Sequence, residues 1–200
     1  MRDGFLKVAA VTPKIRVADP EYNAGVCIDA IKAAAFEGAK LIVLPELVLT
    51  GYTCGDLFLQ DTLINEAKEQ LCRVILETKD IDALIFIGLP MEVNGKLYNV
   101  AAAFSHACVK AFIPKRCLPN YAEFYEMRHF AEGNKEALFV DFAGQMVPFG
   151  GDILLQSDAI EGLCVGCEIC EDLWTPDPPS TALALAGATV IVNLSASNET

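Results

Sequence analysis

Short unbroken apolar runs alternate along this chain with longer stretches in which apolar residues recur at helical spacing. Leu6 to Val11 reads as a strand stopped by Thr12-Pro13. Asp19-Pro20-Glu21 supplies an N-cap, a proline at the first helical position and an early acid. Ala24, Cys27, Ile28, Ile31, Ala34 and Ala35 then follow at helical spacing up to Gly38. Leu41 to Leu44 is apolar throughout, the pattern of a strand covered on both faces, and it ends at Pro45-Glu46. A second helix is expected from Asp61, with Ile64, Ala67, Leu71, Val74 and Ile75 inward.

Ala83 to Leu89 is a third apolar run, and Asn94-Gly95 beyond it is a two-residue hairpin signal that brings antiparallel pairing into the sheet. Leu97 to Phe104 and Cys108 to Ile113 extend the meander to Pro114-Lys115. Strands are predicted at 139–142 and 153–155, with 143–152 as a connection. A buried strand rich in Val, Ile and Cys is predicted over Gly162 to Cys170, then a short helix over 180–186 and a last strand over 189–193. Strands alternating with helices around a hairpin indicate an α/β fold with a mixed sheet or two packed sheets.

Composition narrows the partners. Two hundred residues, 53% of them hydrophobic, suit a single domain over 1–200 with a sizeable core. A formal charge of −12 argues against nucleic acid or an anionic membrane as partner, because a phosphate-binding face needs clustered Lys and Arg. The amino terminus has too short an apolar run for a signal peptide, and no stretch reaches membrane-spanning length. A cytoplasmic protein with its eight cysteines reduced is expected.

Glu46, Lys115, Cys170 and the pair Ser195/Ser197 each follow directly on a predicted strand, and ligands of open α/β sheets sit at the carboxyl ends of strands. A carboxylate, an ammonium and a thiol that converge there suffice for acyl transfer, as base, oxyanion stabiliser and nucleophile. Taken singly, each has a plainer reading: a cysteine packing in a strand, a solvated loop glutamate, a surface lysine. Cys164, Cys167 and Cys170 also form a Cys-x2-Cys-x2-Cys run. Residues three apart in a strand face opposite ways, which argues against a metal site. The segment 116–134 has no lasting period but carries Tyr121, Phe124, Tyr125 and Phe130, and it reads as the wall of a pocket.

Leu44-Pro-Glu46, Pro114-Lys115 and Glu168-Ile-Cys170-Glu-Asp-Leu-Trp174 resemble the catalytic segments of the nitrilase, or carbon–nitrogen hydrolase, superfamily. With Leu49-Thr-Gly-Tyr52, Leu118-Pro-Asn-Tyr-Ala-Glu-Phe-Tyr-Glu126 and Asn193-Leu-Ser-Ala-Ser197, the chain is more narrowly similar to the amino-terminal glutaminase domains of glutamine-dependent NAD synthetases. The resemblance implies a four-layer αββα sandwich and glutamine as substrate. It implies Glu46 as base, Lys115 as oxyanion stabiliser and Cys170 as nucleophile. Tyr52, Tyr121, Phe124, Glu171 and Ser197 would line the glutamine pocket, and Glu123 would be the extra carboxylate that orients the lysine, ahead of Glu126.

The resemblance implies no cofactor in this domain. Ammonia would pass to a carboxyl-terminal synthetase domain that uses ATP and Mg2+. Such domains run past the length of this chain, so absent closing strands, exposed sheet edges and self-association into a homo-oligomer are expected. A free-standing amidase or nitrilase of the same superfamily, and a regulatory domain with an idle thiol, are the competing readings.

Overall fold

The structure, a computed structural model, describes residues 5–197. The chain runs β1 (Val8–Ala10), α1 (Pro20–Phe36), β2 (Leu41–Val43), α2 (Asp61–Glu77), β3 (Leu84–Val93), β4 (Lys96–Ser105) and β5 (Cys108–Pro114). It continues through β6 (Leu138–Phe142), β7 (Gln145–Phe149), β8 (Leu155–Gln156), β9 (Cys164–Ile169), α3 (Pro179–Leu185) and β10 (Val190–Leu194). Short 3-10 helices occupy Gly55–Leu59, Glu126–Arg128 and Cys170–Trp174.

The local signals act as written. Asp19 Oδ1 accepts the Tyr22 N–H at 3.1 Å to cap α1, with Pro20 in its first turn. Asn94 and Gly95 both take positive φ, 52° and 73°, the geometry that lets a two-residue turn follow the twist of β3 and β4.

Seven strands form the main sheet in the order β1-β2-β3-β4-β5-β7-β6, and three form a second in the order β10-β9-β8. Strands β1, β2 and β3 are parallel, β3, β4 and β5 form an antiparallel meander, and β9 and β10 are parallel. The pleat of β4 explains the layering. Val100, Ala102 and Phe104 turn into a core shared with Ile28 and Ile31 of α1 and Leu71 and Val74 of α2. Ala101 and Ala103 turn the other way, into a core with Val165, Cys167 and Ile169 of β9 and Val192 and Leu194 of β10. Small residues on the inner face let the second sheet pack on the first, and α3 packs on β9 from outside. Helices, two sheets and a helix stack in four layers, the nitrilase-like α/β arrangement expected.

Three expectations are corrected. The stretch 143–152 contains a strand, β7, which hairpins with β6 and reaches β5 through the pair Phe112 and Phe149. Pro148 and the flanking glycines disguise it, but Met146, Val147 and Phe149 carry the strand pattern. The strand expected at 153–155 is only the two-residue β8 at 155–156, overlapping the expectation at Leu155 alone. On α2, Leu63 is buried where Ile64 was expected to be.

Gly88 of β3 lies where the chain after β2 folds back against the sheet. A Cβ built there would stand 2.3 Å from Leu47 N and 2.5 Å from Pro45 O. Those are backbone atoms and cannot swing aside, so Gly88→Ala must displace the Pro45–Leu47 turn that carries Glu46. A destabilisation of about 1–3 kcal/mol is expected, read from the urea unfolding midpoint; an unchanged midpoint would show that the turn moves freely.

Candidate active site

Glu46, one residue past Pro45, is 2% exposed, and Lys115, next after β5, is 1% exposed. Lys115 Nζ donates to Glu46 Oε1 at 2.7 Å and to Glu126 Oε1 at 2.6 Å, so a single ammonium sits between two buried carboxylates. A buried ion pair is tolerable only when its remaining lone pairs are satisfied, and here they are. Asn99 Nδ2 donates to Glu46 Oε1 at 2.7 Å and reaches Glu126 Oε2 at 3.5 Å. Tyr52 Oη donates to Glu126 Oε1 at 2.6 Å, and the Ala196 N–H donates to Glu46 Oε2 at 3.1 Å. The last bond crosses from the end of β10 to the main sheet and joins the two halves of the molecule at the site.

The electrostatics follow from burial. Loss of water pushes the Glu46 carboxyl above the usual glutamate range, and the neighbouring Glu126 adds to this. The Lys115 ammonium opposes both. For Lys115, burial works against the charge, but the two carboxylates outweigh it and hold the pKa at about 12. Tyr52 is pushed well above its ordinary value by burial and by Glu126, so its hydroxyl stays a donor.

Cys170 opens the 3-10 helix at the exit of β9, with φ of 47°. A β-carbon is disfavoured in that left-handed region, so neighbours must hold the residue there. Asn193 of β10 does so: its Oδ1 accepts the Cys170 N–H at 3.0 Å and its Nδ2 reaches the Cys170 carbonyl at 3.4 Å. Burial raises the thiol pKa and Glu46 raises it further, whereas Lys115, the Ala196 N–H and the Ser195 hydroxyl favour the thiolate. The thiol therefore stands in the field of the Glu46–Lys115 cluster. Cys167, by contrast, is buried in the core between the sheets, and Cys164 is half-buried at the start of β9.

Tyr121, Phe124 and Tyr52 form an edge-to-face chain of rings, with centroids 5.7 and 6.2 Å apart. At its outer end Tyr121 Oη donates to Glu171 Oε2 at 2.9 Å. A cavity of about 230 Å3 lined by Tyr52, Phe58, Glu123, Glu126 and Phe130 opens beside this wall. A larger cleft of about 510 Å3, between the start of α2 and the β3–β4 hairpin, contains none of the clustered residues. Ser197 is exposed just beyond β10.

The carboxylate on the lysine is Glu126, not Glu123 as expected. Glu126 starts a 3-10 helix that turns its side chain inward and is 4% exposed, while Glu123 lies exposed on the preceding bend. Asn99 and Asn193 were missed by sequence reasoning. The available signal was a polar residue inside an otherwise apolar strand, as in Leu97-Tyr-Asn99-Val and Ile191-Val-Asn193-Leu. Among the described residues, no cluster of three or more His, Cys, Asp or Glu is arranged to hold a metal ion, and no helix is long and apolar enough to cross a membrane.

Two face-packed sheets between helical layers, with a lysine clamped by two glutamates and a thiol in their field at a strained strand exit, define an α/β fold of the nitrilase type. The chain belongs to the carbon-nitrogen hydrolase family, whose profile matches residues 7–200. It is 39% identical over 194 residues to the glutamine-dependent NAD(+) synthetase of Mycobacterium tuberculosis, covering 97% of this chain and 29% of that protein. A crystal structure of a glutamine-dependent NAD(+) synthetase from Cytophaga hutchinsonii superposes with a TM-score of 0.83 at 30% identity, over 96% of this chain and 30% of that one. An amidase from Nesterenkonia sp. shares the fold, with a TM-score of 0.73 at 21% identity over 97% of this chain and 66% of the amidase.

Replacing Lys115 by Met leaves Glu46 and Glu126 buried together without a counter-charge. The Glu46 carboxyl, already raised, rises further. A carboxyl whose folded-state pKa exceeds its unfolded one gives stability at low pH that is lost as pH rises through the folded value. Lys115→Met is thus expected to lose about 3–5 kcal/mol at pH 8 and distinctly less near pH 5, read from urea unfolding at both. An equal loss at the two pH values would contradict the raised Glu46 carboxyl on which the pH dependence rests.

Proposed function

We propose that this chain hydrolyses the side-chain amide of glutamine through a thioester on Cys170 and supplies the ammonia for NAD synthesis. The observation that carries the reading is the buried Glu46–Lys115–Glu126 cluster in electrostatic contact with a thiol held at positive φ. The kinship to glutamine-dependent NAD(+) synthetases supports the choice of amide.

Because burial and Glu46 keep the Cys170 thiol protonated, attack on the amide carbon requires a base, and Glu46, made more basic by its surroundings, takes the proton. Lys115 keeps its charge and cannot be that base. Its role is to stabilise the oxyanion together with the N–H of Glu171, which lies in the first turn of the 3-10 helix where the ladder provides no acceptor. As the tetrahedral adduct collapses, Glu46 returns the proton to the leaving nitrogen and ammonia departs, leaving the thioester. Glu46 then deprotonates a water that attacks the thioester carbon, and the thiol recovers its proton as glutamate leaves. Glu126 holds the lysine in place. Glu171, beside Tyr121, offers a carboxylate to the α-ammonium of glutamine, and the rings of Tyr52, Tyr121 and Phe124 flank its aliphatic stem.

The chain spans 29% of the length of its Mycobacterium tuberculosis relative. In the proposed role, the ammonia is consumed by an ATP-dependent synthetase domain that converts deamido-NAD to NAD.

Ammonia release from L-glutamine, compared with acetamide, tests the substrate. Cys170→Ala is expected to lose at least about 10³-fold in kcat while its unfolding midpoint stays close to native. A native protein that prefers acetamide, or a Cys170→Ala variant that retains hydrolysis, would overturn the reading. The base must be ionised to act, so kcat/KM is expected to rise with pH through a limb above the usual glutamate range, set by Glu46. Lys115, at about 12, sets no limb near neutrality.

A further inference from the structure

Asp172, two residues past Cys170, is 1% exposed and, among the described residues, has no cation at ion-pair distance. Its partners are backbone amides on two separate turns. Oδ2 accepts the N–H of Ile169 at 2.9 Å, on the residue before the thiol. Oδ1 accepts the N–H groups of Arg116 at 3.1 Å and Cys117 at 2.7 Å, the two residues after Lys115. The first bond reaches back from the third position of the 3-10 helix to its N-cap N–H, as in one half of a capping box. The other two do nothing for that helix: they reach across to the turn that leaves β5.

We propose that Asp172 is a positioning residue that fixes Lys115 and Cys170 relative to one another, its carboxylate gripping the backbone beside each. The inference rests on the reading of Cys170 and Lys115 given above. Three N–H groups converge on this side chain, and only an acceptor-only group satisfies them all; an asparagine would turn its NH2 on one turn or the other and push it away. Lys115 stays clamped by Glu46 and Glu126, and Glu46 is tied to the second sheet through the Ala196 N–H. The grip fixes how far the 3-10 helix that opens at Cys170 stands from the turn after β5, so when it fails the thiol moves relative to Lys115 and the ammonium's field on it weakens.

Asp172→Asn tests this with two readouts. One is the pH dependence of Cys170 alkylation by iodoacetamide, followed by mass spectrometry; the other is kcat and KM for glutamine. Expected are an alkylation profile displaced to higher pH and a kcat reduced by about 10²-fold. KM is expected to stay within about threefold, in a chain that still unfolds cooperatively. A folded variant whose profile superimposes on the native one, with kcat unchanged, would overturn the proposal. If Asp172→Asn fails to fold, hydrogen exchange of the native protein decides: protection of the Cys117 amide comparable to the β9 amides supports the grip, and free exchange refutes it. Because alkylation needs no glutamine, a displaced profile in a protein that does not hydrolyse glutamine would sustain the positioning role and reject only the proposed function.

Discussion

Everything at the strand ends is arranged around one charge, the ammonium of Lys115, that has been removed from water. Such a charge costs several kcal/mol to bury and persists only where partners replace its hydration. Glu46 and Glu126 do so, and they in turn require Asn99, Tyr52 and the Ala196 N–H. The dependence runs outward through the fold. Asn99 belongs to β4, Tyr52 to the loop after β2, Glu126 to the segment after β5 and Ala196 to the other sheet. Four regions distant in sequence must be in register before the lysine is satisfied, which binds the order of the site to the completeness of the fold.

The alanine run of β4 is the complementary constraint. Because Ala101 and Ala103 present only methyl groups to the second sheet, β9 and β10 approach closely enough for Ala196 to reach Glu46 and for Cys170 to stand in the field of Lys115. Phe104, Phe112 and Phe149 pack on the opposite face beneath the helices, while Phe86 of β3 fills space between the sheets beside the alanines. The small residues that β4 turns toward the second sheet thus set the spacing between the sheets at the clustered residues.

Much of this was legible in the sequence, for reasons that differ by element. Helix α1 announced itself through Asp19-Pro20 and the β3–β4 turn through Asn94-Gly95, because caps and primed turns are encoded by the residues that form them. Glu46, Lys115 and Cys170 stood out because each follows a strand. β7 did not, since a proline and flanking glycines mask a strand defined mainly by its partner β6. The exchange of Glu123 for Glu126 has a similar origin. The two residues lie three apart in a segment without period, and a single 3-10 turn at Glu126 decides which carboxylate faces inward. The roles of Asn193 and Asp172 depend on long-range bonds to backbone groups, for which no local pattern exists.

The conformation of Cys170 has a bearing on how this sequence responds to selection. A residue with a β-carbon at φ of 47° gives up roughly 1–2 kcal/mol that a glycine there would not. Native domains have only about 5–15 kcal/mol in total, so an evolving or engineered lineage that prized robustness alone would drift away from the thiol. Stability alone would thus favour glycine at position 170 over the cysteine this chain carries there.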